Sequence, residues 1–369
     1  MPVPTSTRAA VLREHAGPLA LEKIPLPEEC EAGAAVVAVR CATLCATDVH
    51  LWSGAMSLPG MLPMVLGHEM AGVVEAVGPG TVDALGRPVQ VGDRIGWSES
   101  TCGHCYGCTV LRAPVACLDR GYGFRQRADR WPYSTAGLAE YAYVTPGAQK
   151  VVLPGDVPDT WAAAAGCSVK TVLHAFDRAG GLRPGSSVLV QGAGALGLVA
   201  TAVARASGAG TVITVGGPGY RLDLARRFGA DVTVGLDGEP ADRLAAVLEA
   251  TEGRGADLVL DLAGAPGVGA EAVDAAAWGG TFVVVGSTGP RPEPIPLGTV
   301  MGKELTVRGS LNGDVADYHR AVEFLRAFRL RFPWDDLFGE PAGLAGASAA
   351  LVSMSRLQQV KAVIHPWLP

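Results

Sequence analysis

Residues 188–197 read Val-Leu-Val-Gln-Gly-Ala-Gly-Ala-Leu-Gly, an apolar run that stops at Gly192 and resumes as a helix-like segment through Gly194 and Gly197. This order of strand, glycine turn and helix restricts the fold more than any other stretch. The first glycine permits a tight turn, the second lets another group approach the backbone, and the third lets helix and strand pack closely. The texture that follows agrees. Short apolar runs at 187–190, 211–215, 231–234, 258–261 and 281–285 alternate with helix-like segments such as 221–228 and 241–249. That alternation predicts a parallel sheet with crossover helices, an α/β unit. Because the turn opens a helix directly after a strand, its free N–H groups suit the phosphates of a dinucleotide. A bare GxGxxG arises by chance in a chain with 49 glycines, so the strand–turn–helix context is what gives it weight.

The first 150 or so residues differ. Runs at 34–39, 71–77 and 141–144 are separated by Gly, Pro and Asp turns and read as strands. A chain of 369 residues is long enough for two domains. With 49% hydrophobic and 18% charged residues it is globular rather than disordered. A net charge of -6 argues against nucleic acid or an anionic membrane as main partner. The N-terminal residues lack the apolar core of a signal peptide, and the most apolar stretch, 187–203, is broken by glycines. The expected setting is therefore cytoplasmic, where thiols stay reduced. Eight cysteines then suggest metal ligands before disulfides. Past residue 310, 318–328 reads as helix and 359–364 as strand, while 119–137 reads as a long surface loop beside a substrate entrance.

Cys102, Cys105 and Cys108 are spaced by two residues each, and Cys117 follows. Such spacing wraps easily around one tetrahedral ion, and a fourth thiolate closes the shell without room for water, as in structural zinc sites. Free cysteines or a redox pair are the plain alternative. A standard ferredoxin spacing is absent, and no basic helix follows to make a nucleic-acid finger. Elsewhere Cys45-Ala-Thr47-Asp48-Val-His50, Gly67-His68-Glu69 and the distant Cys167 offer two thiolates and an imidazole. Each alone is weak, since a lone Cys or His is usually a satisfied core residue.

Taken together these elements resemble the zinc-dependent medium-chain dehydrogenase/reductase family. The likeness rests on Cys45-x-Thr-Asp-x-His50, Gly67-His68-Glu69-x-x-Gly72 with Val77-Gly78, Gly92-Asp93-Arg94, the cysteine lobe at about 97–118, Cys167 and the glycine turn, in the family's order along nearly the whole chain. It implies α/β plus β architecture: a GroES-like β-barrel catalytic domain, 1–168 and 309–369, interrupted by a Rossmann cofactor domain, 169–308. It also implies two zinc ions per chain. Cys45, His68 and Cys167 would hold a catalytic zinc with an open fourth position, the Cys₂His set known from alcohol dehydrogenases. Glu69 resembles the acidic residue that can stand in as a ligand, and Asp48 the carboxylate that orients the histidine. Thr47 would contact the substrate oxygen and His50 would pass a proton to solvent. Zinc would act as a Lewis acid while hydride moves between an alcohol and NAD or NADP.

Gly192, Gly194 and Gly197 would cradle the cofactor, with Leu196 near the nicotinamide and Thr171 on its other face. The strand 211–215 ends in Gly216-Gly217-Pro218-Gly219, with no carboxylate for the ribose of NAD. Arg221 would meet a 2′-phosphate or the ribose itself, so both cofactors stay open. Two departures stand out. The gap between Cys108 and Cys117 is one residue longer than the family's usual spacing, and Ala46 stands where some members place a cation for the pyrophosphate. Lys361 matches the place of a C-terminal cation that would supply that contact, unless it is a solvated surface lysine. The expected partners are a small alcohol or carbonyl and a second copy, as homodimer or homotetramer. Rival readings are a zinc-independent quinone or alkene reductase of the same superfamily and a non-enzymatic zinc protein.

Overall fold

A computed structural model describes residues 4–56, 60–121, 126–286 and 292–369. Part of the 119–137 segment, expected as a surface loop beside a substrate entrance, lies outside these. The chain forms two units, Met1–Lys170 with Gly313–Ala327 and Leu337–Pro369, and Thr171–Asn312 with Phe328–Asp336.

The first unit is antiparallel β. Ser6–Leu12 pairs with Ala20–Pro25 on one side and Met64–Val65 on the other. A second sheet runs in the order Val363–Ile364, Ala35–Thr43, Glu69–Val77, Arg94–Ser100, Ala148–Val152, with Tyr141–Val144 also on Ala35–Thr43. One pairing positions the chemistry. Thr43 lies opposite Glu69 in the register of Ala35–Thr43 and Glu69–Val77. The next residues of one strand lead to Cys45, and the preceding residue of the other is His68, so both emerge at one end of the sheet. Helix Ala46–Ser53 starts from Cys45 as its N-cap. Helix Asp159–Ala164 packs on the same two strands, and its continuation, the wide turn Ala165–Val169, brings in Cys167.

The second unit carries a parallel sheet of six strands in the order Val232–Val234, Thr211–Val215, Ser187–Gln191, Ala256–Asp261, Ala276–Val284, Thr306–Gly309. Numbered within the unit, that is the doubly wound order 3-2-1-4-5-6. All five residues of Ser187–Gln191 are buried, as a central strand covered on both faces must be. The order reverses beside this strand, the place where such sheets bind ligands at their carboxyl ends. The edge strand Thr306–Gly309 had no clear signature, because its side chains are exposed and its apolar content is low.

The segment Phe328–Asp336 departs from the expected boundaries, which gave all of 309–369 to the barrel. It packs with the parallel-sheet unit because Phe332 and Trp334 close on Phe228, with ring centroids 6.4 and 5.4 Å away. Of the strand read at 359–364, only Val363–Ile364 pairs as a strand.

Candidate metal centres and cofactor turn

Ligand atoms of Cys45, His68, Glu69 and Cys167 lie within 4.8 Å of one another. Cys45 is buried, whereas His68 and Cys167 keep part of their surface accessible. Asp48, which is 0% exposed, holds this end of the sheet together. It accepts from the backbone N–H of Cys45 at 2.9 Å and of Gly67 at 3.0 Å, and its Oδ1 faces His68 Nδ1 at 3.2 Å. A carboxylate at Nδ1 makes that nitrogen the donor and leaves Nε2 for the thiols. Burial alone would lower the His68 pKa, but Asp48 and Cys45 outweigh it and hold it well above its usual range. The Cys45 thiol is held well below its own range, first by Cys167 and then, against burial, by His68. Two thiols, one imidazole and an orienting carboxylate fit zinc.

Glu69 is fully enclosed. Its carboxylate accepts from Thr43 Oγ1, from Ser168 Oγ at 3.1 Å and from Lys361 Nζ at 2.6 Å. The Lys361 side chain is 1% exposed and paired with Glu69, so it is not a solvated surface lysine. A buried carboxylate needs a countercharge, and Lys361 supplies it, with Ser168 Oγ 3.0 Å from its Nζ. Thr43 and Ser168 carried no sequence signal beyond their positions beside candidate ligands.

Cys102, Cys105, Cys108 and Cys117 also bring their sulfurs within 4.8 Å of one another. The Sγ atoms of Cys105 and Cys108 are 3.7 Å apart, and those of Cys117 and Cys102 3.6 Å, too far for disulfides. Backbone N–H groups of Leu118 and Cys108 face Cys105 and draw its thiol down to about 6. The short turn Pro114–Ala116 leads directly into Cys117. His104, inside the same loop, is exposed, and its Nδ1 lies 2.7 Å from the Cys102 carbonyl oxygen.

In the parallel sheet, Gly192 has φ +115°, a conformation that side chains rarely adopt. A Cβ on Gly197 would sit 1.7 Å from the Gly192 carbonyl oxygen, so only glycine lets this helix approach its strand. A Cβ on Gly194 would meet no protein atom within 4 Å. That free space lies at the N-cap of helix Ala195–Ala206, where a phosphate would approach the backbone. Leu196 is half-buried in the first turn of this helix. Gly216, just past Thr211–Val215, packs on Ala193. Arg221 is mostly buried in helix Gly219–Arg227, and its Nε donates to Tyr220 Oη at 3.0 Å. Thr171 Oγ1 lies 3.4 Å from Asn312 Oδ1.

Residues 31–155 match the family description alcohol dehydrogenase GroES-like domain, and residues 195–327 match zinc-binding dehydrogenase. The chain is 33% identical to 5-exo-hydroxycamphor dehydrogenase of Pseudomonas putida over 341 residues, covering 91% of this chain and 92% of that protein. The chain belongs to the zinc-dependent medium-chain dehydrogenase/reductase family. Among solved structures of similar proteins, an alcohol dehydrogenase from Thermotoga maritima superposes with a TM-score of 0.90 at 29% identity, covering 98% of this chain and 99% of that one. A putative zinc-binding dehydrogenase from Sinorhizobium meliloti bound to NADP gives 0.84 at 25% identity, covering 98% and 100%.

This member of the dehydrogenase family is thus an oxidoreductase acting on alcohols and their carbonyl counterparts, with zinc and NAD(P) as its general cofactors. Its fold is the GroES-like and Rossmann pair that the sequence resemblance implied. No helix among the described residues is long and apolar enough to cross a membrane.

Proposed function

We propose that Cys45, His68 and Cys167 hold the catalytic zinc, with Glu69 beside it, and that Cys102, Cys105, Cys108 and Cys117 hold a second, structural zinc. The observation that carries this reading is the convergence of two separate donor sets, each within 4.8 Å. When bound, zinc polarises the alcohol or carbonyl oxygen and the nicotinamide takes up or gives back the hydride. The chain's own part is to orient, ground and connect. Asp48 fixes the His68 ring, and Glu69 is held by Thr43, Ser168 and Lys361. Thr47 is half-buried on helix Ala46–Ser53, and His50, three residues on and on the same face, is exposed. A proton leaving the substrate hydroxyl passes from Thr47 to His50 and then to water.

For the cofactor, Gly192, Gly194 and Gly197 shape the turn that receives the pyrophosphate, with Leu196 and Thr171 flanking the nicotinamide. Gly216 would leave the adenosine ribose free of a carboxylate, and Arg221, hydrogen-bonded to Tyr220, would meet a 2′-phosphate or the ribose. The Cys₂His set and the four-cysteine lobe favour this mechanism over a zinc-independent reductase. Copies associate as a homodimer or homotetramer, for which the exposed edge strand Thr306–Gly309 and the exposed Leu297, Met301 and Leu311 offer a surface. The setting is cytoplasmic, in keeping with eight free cysteines.

Turnover of a panel of primary and secondary alcohols, with metal content measured in parallel, tests the assignment. His68→Ala abolishes turnover and removes one metal. Asp48→Asn keeps the donors but loosens metal binding by about 10- to 100-fold, the usual loss when the group behind a ligand is changed. Undiminished activity in His68→Ala excludes the site.

A further inference from the structure

A second group of buried charges lies apart from the donor sets. Lys170 and Glu99 have side chains 0% and 2% exposed, and Arg120 is 6% exposed. Lys170 Nζ reaches both Glu99 oxygens, at 3.0 and 2.9 Å, and Ser98 Oγ at 2.8 Å. Arg120 Nη2 reaches Glu99 Oε1 at 2.8 Å, and its Nη1 donates to the Val115 carbonyl at 3.1 Å. The places of these residues in the chain give the cluster its meaning. Glu99 stands three residues before Cys102, and Arg120 three residues after Cys117. Between them Ser100 and Gly121 exchange backbone hydrogen bonds of 2.7 and 3.0 Å, closing the neck of the four-cysteine lobe. Lys170 stands three residues after Cys167, at the end of the wide turn Ala165–Val169. On the other side of Cys167, the Gly166 carbonyl lies 3.3 Å from Ser98 Oγ.

The neck of one donor set is therefore fastened to the turn that carries a ligand of the other, at the residue before Cys167 and at the third residue after it. Burying an ammonium is costly unless it is paired and hydrogen-bonded, and here Lys170 Nζ directs its hydrogen bonds to Ser98 and Glu99 of the neck, with the Tyr318 ring centroid 6.0 Å away. A stabilising role alone would be served as well by apolar packing. A charged bridge instead fixes direction and distance. We infer that Lys170, Glu99 and Arg120 are positioning residues that couple the metal-loaded lobe to Cys167, so that occupancy of the lobe sets how firmly the open site holds its metal. This rests on the reading that both donor sets bind metal.

Cobalt(II) exchanged into the open site alone, with zinc left in the lobe, provides a probe, since its thiolate charge-transfer bands then report that site's geometry and a chelating dye reports the rate of cobalt loss. Lys170→Met speeds loss from the open site by about 10- to 100-fold and shifts its bands, while Lys170→Arg stays near wild type. Cys108→Ser in the lobe has the same effect on the open site, and combining it with Lys170→Met adds little. Should Lys170→Met not fold, Lys170→Met with Glu99→Gln makes the same comparison. An open site whose bands and metal-loss rate are unchanged in the Lys170 variants, or effects of the two changes that multiply fully, overturns the coupling alone. A wild-type protein that Cys45→Ser does not deprive of one metal overturns the metal reading and the coupling with it.

Discussion

Lys361 shows how far a single residue's meaning depends on what encloses it. In the sequence it is a cation in an apolar stretch at the place of a pyrophosphate contact. In the structure it is the countercharge of Glu69, 2.6 Å away. Removing one partner of a buried pair strands the other, whereas removing both does not. Lys361→Met is expected to lower unfolding free energy by about 3–5 kcal/mol, and Lys361→Met with Glu69→Gln to recover most of it. Denaturant titration of the single and double variants checks this. The dissociation constant for the cofactor should stay unchanged in the folded single variant; a large loss would return Lys361 to the pyrophosphate. The proposed ligands stood out in the sequence only together, through the resemblance of the Cys45-x-Thr-Asp-x-His50 and Gly67-His68-Glu69 runs to the family pattern. Thr43, Ser168 and Lys361 did not, because a hydroxyl or an ammonium takes its role only from a carboxylate brought near by strand pairing.

Among the elements, the glycine turn was the most readable, since each glycine answers a separate steric demand. Gly197 lets the helix lie against Gly192, and Gly194 borders free space. These demands separate in experiment. Gly197→Ala forces a Cβ to within 1.7 Å of a carbonyl, so the helix must move and both stability and cofactor binding fall. Gly194→Ala leaves the melting temperature near wild type but weakens cofactor binding by about 1–3 kcal/mol, the scale of a lost charged hydrogen bond. Thermal unfolding and cofactor titration of the two variants test the distinction, and unchanged binding in Gly194→Ala would remove the pyrophosphate from this turn. The buried strands were visible as apolar runs bounded by glycine. Helix Ala46–Ser53 was not, because eight residues span barely two turns and its polar residues serve the site rather than an amphipathic face. The wide turn Ala165–Val169 likewise lies within a run of small residues without periodicity.

At the scale of the whole molecule, the chain divides the reaction's requirements between two units of different architecture. The antiparallel unit carries both donor sets and the buried charges between them. The parallel unit carries the glycine turn at the point where its strand order reverses. The division itself was readable from the change in texture near residue 185. The assignment of Phe328–Asp336 was not, because it depends on an aromatic cluster formed with the distant Phe228. The central claim is that one of two zinc ions sits at Cys45, His68 and Cys167 and is needed for chemistry. Zinc content per chain, measured alongside turnover in wild type and Cys45→Ser, tests it most directly. The account predicts two zinc ions in wild type, and one zinc, a folded protein and no turnover in Cys45→Ser. Full turnover in a Cys45→Ser protein that lacks this zinc would contradict it.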